Sequence, residues 1–175
     1  MEQTVTTTTT KGIVIGLILI VIAIIIYFSN VEMDGPTKWI SNAVFVIGII
    51  WAINNYGKQI NHNTTFGNYF AHGFKVAAVV TAIMILYLLI FIMIFPEFKD
   101  KALEQAKAAM EKGGKMTSEQ ISQALTITKK FFTVFAIGGT LLGYLIFGAL
   151  AALVGAAVTK KEPNTNQGDL NQTLQ

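Results

Sequence analysis

From Val76 to Phe95 the chain carries about twenty apolar residues in a row, with Thr81 the one interruption and Pro96 the stop. At 1.5 Å per residue, a helix of that length spans about 30 Å, the thickness of a bilayer's hydrocarbon core. A surface helix in water needs one oily stripe, whereas this one is oily all round. The stretch reads as a membrane span, and the rest of the chain has to be arranged around it.

Three other runs qualify as spans. Residues 1–11 are polar and rich in threonine, and read as a disordered tail. Gly12 to Phe28 follows Lys11 without a single charge. A signal peptide would have a shorter apolar stretch and a small-residue cleavage site. Ser29-Asn30-Val31-Glu32 supplies no such site, so 12–28 reads as an uncleaved first span. Gly12 and Gly16, four apart, leave room for a neighbouring helix. Gly35-Pro36 predicts a turn, and so short a link brings the next span back antiparallel. That second span, 39–56, has an unbroken apolar centre only from Ala43 to Ile53. Trp39 and Tyr56 stand at its ends as interfacial anchors, with Lys38 and Lys58 just beyond.

The loop from Gly57 to His72 leads into the third span, at 74–95. Phe66, Tyr69, Phe70 and Phe74 fall on one helical stripe and read as rings at headgroup depth. An aromatic pocket for a lipid or peptide is the sharper alternative. Gly73, Ala77 and Thr81 form a second stripe of small residues, suited to a helix contact. Beyond Pro96 the chain turns charged and alanine-rich. Glu97 and Asp100 open this segment and Lys112 ends it, as the helix dipole prefers. Gly113-Gly114 breaks it, and Thr117-Ser118-Glu119-Gln120 reads as a capping box opening a second helix. Residues 97–130 are thus expected to form an extramembrane helical hairpin, either a docking surface or a plain extension of its neighbours.

The fourth span, 131–158, is longer than one crossing needs. At about 100° per residue, Gly139 and Gly143 share one face, while Gly148, Ala152 and Gly155 share the opposite one. Small residues on two faces predict that this helix packs between two neighbours at the centre of the bundle. Residues 160–175 read as a second disordered tail. The expected architecture is all-α: a polytopic membrane protein with four transmembrane helices in a 12–159 domain and a helical hairpin between the third and fourth.

Composition narrows the chemistry. Charged residues make up 13% of the chain, about half the usual share for a soluble domain, and the mean hydropathy is +0.54. A net charge of +3, dispersed along the chain, gives no footprint for nucleic acid. Cysteine is absent, which excludes disulfides and thiolate metal sites. His62 and His72 are the only histidines and show no ligand spacing. No catalytic, cofactor-binding or metal-binding residue is assigned, and no enzyme activity is expected. The four apolar cores hold no Asp, Glu, His, Lys or Arg, which argues against a coupled transport path.

The Phe66-Gly67 and Phe70 stretch, the Gly73-Phe74 entry to the third span, and the Pro96/Phe98 exit are followed by a charged loop and a Gly138-Gly139 to Gly155 final span. Together they resemble the domain of unknown function 4199 family of small four-span bacterial membrane proteins. The resemblance runs from about Gly12 to Lys161 and brings no activity with it. It implies a multi-pass inner-membrane bundle whose loop before the third span is cytoplasmic, and hence cytoplasmic termini. Counted alone, the lysines point the other way. Lys11, Lys58, Lys75, Lys160 and Lys161 lie on the proposed inner side. Lys38, Lys99, Lys101, Lys107, Lys112, Lys115, Lys129 and Lys130 lie on the other, largely interleaved with acidic residues. The expected role is a structural, scaffolding or interaction component. Its partners would be membrane lipids and either a membrane protein or further copies of itself. A small transporter or oligomeric channel subunit is the alternative.

Overall fold

A computed structural model describes residues 6–29 and 37–159, and among these it contains helices and no strand. The helices are α1 (Thr8–Phe28), α2 (Thr37–Gln59), α3 (Phe66–Ile94), α4 (Glu97–Gly113), α5 (Ser118–Lys130) and α6 (Phe132–Val158). Four of them, α1, α2, α3 and α6, are long and apolar enough to cross a membrane. The Gly35-Pro36 turn, residues 1–5 and the 160–175 tail lie outside the described residues.

Local chemistry explains most of the boundaries. Thr7 caps α1, its hydroxyl accepting from the Thr10 amide, so the helix takes in Thr8 to Lys11 from the expected tail. The α2 helix closes through His62 N–H to Gly57 C=O at 2.7 Å and Asn61 N–H to Lys58 C=O at 3.3 Å. Those two bonds make a Schellman motif with Asn61 in the left-handed position usually given to glycine. Thr65 caps α3, which therefore starts two turns before the apolar span. Thr117 and Gln120 form the reciprocal capping box of α5. Gly114, at φ 60°, ends α4 in the left-handed conformation.

The four long helices form an up-and-down bundle in which α1 runs parallel to α3, α2 parallel to α6, and the two pairs oppose each other. Its core holds Ile15 and Leu19 of α1, Phe45, Ile49 and Ile53 of α2, Val76, Val80 and Met84 of α3, and Ala151, Ala152 and Ala156 of α6. The hub is α3, which touches α1, α2 and α6 and carries α4 at its foot. The expected central position of α6 is corrected accordingly: α6 leans on α3 and α2, from one side of the bundle. The reason is that Gly73 and Ala77 on one face of α3 meet α2 and α6, while Val79 and Ile83 reach α1. On the outside, Leu17, Val21, Ile47, Trp51, Leu86, Ile90, Leu142, Ile146 and Leu150 are exposed. So continuous an apolar belt suits acyl chains and not water.

Candidate functional site

The small residues expected at helix contacts divide into two groups. A Cβ built on Gly73 would lie 2.5 Å from Ile53 Cδ1 and 3.1 Å from Ala152 Cβ, so three helices meet at this point. Gly148 faces Ala77 Cβ at 2.5 Å, and Gly155 faces Ile53 Cδ1 at 2.6 Å. Ala77 and Ala152 are fully buried, and the Thr81 hydroxyl donates to the Ala77 carbonyl at 2.8 Å. Gly139 and Gly143 differ: no atom lies within 4 Å of a Cβ built on either. Their face of α6 opens onto a groove. Gly12 and Gly16 admit Val79 and Ile83 of α3, as their spacing suggested.

The aromatic stripe also divides. Trp39, Phe66 and Phe74 are exposed, and Tyr56 and Phe70 are half-buried against the core. Tyr69 has no exposed surface, which corrects its placement among the interfacial rings. It stands one helical repeat before Val76 and in phase with the inward face of α3, so its ring points into the bundle.

Around Tyr69, the end of the bundle that holds the first residues of α1 and the last of α6 is closed by buried polar groups. Lys11 is 1% exposed; its ammonium donates to the Ala52 carbonyl at 3.3 Å and lies 5.8 Å from the Tyr56 ring centroid. His72 also stacks on the Tyr56 ring, with centroids 4.0 Å apart and planes 9° apart. The Tyr69 hydroxyl and His62 Nδ1 are 3.4 Å apart, and Gln59 donates to Thr6. The sequence places Lys11 next to the first span and gives His62 and His72 no ligand spacing, whereas the fold buries Lys11 and seats each histidine against a tyrosine. The signal for the lysine lies in its phase: Lys11, Ile15 and Leu19 recur at i, i+4, i+8 on the buried face of α1. Among the described residues, no three His, Asp or Glu side chains gather where a metal ion would bind.

The opposite end is aromatic. Tyr27 of α1 packs edge-on to Phe91 at 4.9 Å, and Phe95 and Phe98 complete the cluster. The Tyr27 hydroxyl donates to Glu97 at 3.1 Å and Lys101 lies over the Tyr27 ring, so α1 and α3 together hold the first turn of α4. Lys99 reaches over Phe132 at the start of α6. From this base α4 and α5 pack on each other; beyond Phe98 and Lys99, their less exposed residues are Ala102, Leu103, Ala106 and Met110 on α4 and Ile121, Ala124, Leu125 and Thr128 on α5. Charged helices of this kind stand outside the hydrocarbon. Along the pair runs a groove of about 380 Å³, floored by Leu103 and Leu125 and rimmed by Asp100, Glu104, Lys107 and Lys129.

A second groove, of about 250 Å³, opens sideways between α2 and α6. Phe45, Tyr144 and Phe147 wall it, Gly139 and Gly143 form its floor on α6, and Asn42 and Thr140 sit at its polar end.

Four apolar crossings, a packed interior and a charged hairpin on one end define a small polytopic helical membrane protein. The chain belongs to the family described as protein of unknown function (DUF4199), whose model matches residues 10–161. No curated protein and no solved structure matches it.

Proposed function

We propose that this protein is an interaction component of a bacterial inner membrane, a four-span anchor that presents the α4–α5 hairpin to another membrane component and performs no catalysis of its own. The observation that carries the reading is the hairpin itself. Its base is fastened to two spans by the Tyr27–Glu97 hydrogen bond and the Phe91, Phe95 and Phe98 rings. Its groove has an apolar floor and a rim of both charge signs, the arrangement of a polar-rimmed docking site. The bundle interior, filled at its centre by Phe45, Ile49, Val80 and Ala152, favours an anchor over a conduit. In this reading the termini and the Gly57–His72 loop face the cytoplasm and the hairpin faces the other side.

The experiment is site-specific crosslinking in native membranes. A photoreactive residue at Thr126, inside the hairpin groove, should give a discrete adduct with a second protein. The paired substitution Leu103→Glu and Leu125→Glu should remove that adduct without loss of the membrane-inserted protein. An adduct only with further copies of the same chain would replace this reading with self-assembly, as an oligomeric channel subunit requires. Absence of any groove-dependent adduct would sink both.

A further inference from the structure

The sideways groove between α2 and α6 lies at a definable depth. Phe45 and Tyr144 touch edge-to-face with ring centroids 4.9 Å apart, which sets the two helices level there. Asn42 is three residues nearer the hairpin end than Phe45, and Thr140 four residues nearer than Tyr144, about 5 Å in each case. Trp39, 60% exposed and placed as an interfacial anchor, is one turn further out again. Asn42 and Thr140 therefore sit just inside the interface, and the rest of the groove runs down into the hydrocarbon.

Nothing in that layer leaves a gap empty. A void beside the protein forfeits contacts on every wall, and the surrounding medium is acyl chain. The size of the groove restricts what enters: a whole helix, about 10–12 Å across, does not fit a space of about 250 Å³ and could reach into it only with a side chain. A single methylene chain does. The polar end adds chemical direction. The Thr140 hydroxyl makes no hydrogen bond to another described residue, although Thr81 and Thr159 both donate to the carbonyl four residues back, and Asn42 brings a side-chain amide to the same end of the groove. Both Asn42 and Thr140 offer donors, and a lipid ester offers carbonyl acceptors at that depth. Gly139 and Gly143 have open space where any other residue would project into the groove.

We propose that this groove is a lipid-binding site that seats one acyl chain of a glycerolipid from the leaflet on the hairpin side, with Asn42 and Thr140 donating hydrogen bonds to its ester carbonyls. The apolar walls hold the chain, Phe45 and Phe147 flank it, and the two glycines let it lie against the α6 backbone.

The test is lipid retention by mass spectrometry of the protein ejected from lipid nanodiscs, at collision energies that strip surrounding lipid. The wild-type chain should keep one glycerolipid. The double variant Gly139→Leu, Gly143→Leu should lose it by tenfold or more at a melting temperature no lower than that of the wild type. Gly138→Leu, equally uncrowded but outside the groove, should retain it as the wild type does. Asn42→Leu should lower retention severalfold, and it decides the matter if the double variant does not fold. A wild-type chain that keeps no lipid, or a folded double variant that keeps as much as the wild type, overturns the proposal. So does retention unchanged by Asn42→Leu. A wild-type dimer that falls to monomer in the double variant, with the lipid count unaltered, would assign the groove to a second copy.

Discussion

The two halves of α6 carry the same residue types to opposite ends. Near its C-terminus, Gly148 and Gly155 bring the helix against Ala77, Ile50 and Ile53, with no room for a methyl group. Near its N-terminus, Gly138, Gly139 and Gly143 face open space. The bundle as a whole follows this division. The end that holds the first turn of α1 is closed by interlocked glycines and a buried lysine, while the hairpin end is held by aromatic rings and is open on one side. A glycine in a membrane helix therefore has no fixed meaning. It marks a contact where its face meets a neighbouring helix, α3 at Gly148 and α2 at Gly155, and an opening where it meets none.

The largest expected effect tests the closed end. Lys11 fills space as well as making a hydrogen bond, since its whole side chain is buried among α1 and α2. Truncation in Lys11→Ala should leave a cavity and cost about 2–4 kcal/mol of stability, the range for large buried side chains. Lys11→Met keeps most of the volume, and the Ala52 carbonyl retains its own helical bond, so most of the loss should be recovered. Unfolding of the purified protein in one detergent compares the three. If Met is as damaging as Ala, the ammonium itself holds the two helices and the packing account fails.

Next comes a single methyl group. In Gly148→Ala the new Cβ would stand 2.5 Å from Ala77 Cβ, and both atoms are bonded directly to backbone. Neither can swing aside, so α3 and α6 must separate by roughly an ångström to reach ordinary contact. Such overpacking costs about 1–3 kcal/mol, offset in part by the better helix propensity of alanine. A melting temperature equal to that of the wild type would mean that the close approach of the two helices is not needed for stability.

Much of this was legible in the chain. Span positions followed from apolar runs whose length a bilayer dictates, and the Thr117–Gln120 capping box was readable because its two bonds are local. The opposite faces of α6 followed from 100° arithmetic. What the arithmetic left open was which of those faces meets a neighbour, because that depends on where α2 and α3 stand. Lys11 shows the same limit. Its charge suggests a position at the membrane edge, and only the partners it finds, the Ala52 carbonyl and the Tyr56 face, make burial tolerable. His72 is half of a stacked pair whose other member lies sixteen residues away on α2, a relation without local signature.

The smallest effect has the opposite sign. Gly143→Ala makes the same chemical change as Gly148→Ala, five residues earlier on the same helix. Here no atom lies within 4 Å of the added methyl, so no packing cost arises. Glycine in a helix interior is worth about 0.5–1 kcal/mol less than alanine, because the unfolded glycine has more backbone freedom to lose. The variant should therefore gain about that much when it is melted in detergent stripped of lipid. Gly138→Ala, also uncrowded, should gain alike and serves as the reference. Adding glycerolipid should then separate the two. The methyl at position 143 narrows the groove between Phe45 and Phe147, so part of the gain should disappear, while the gain at 138 should persist. A Gly143→Ala that loses stability in stripped detergent, as Gly148→Ala is expected to, would mean that α2 closes over the groove, and the contrast between the two halves of α6 would not hold.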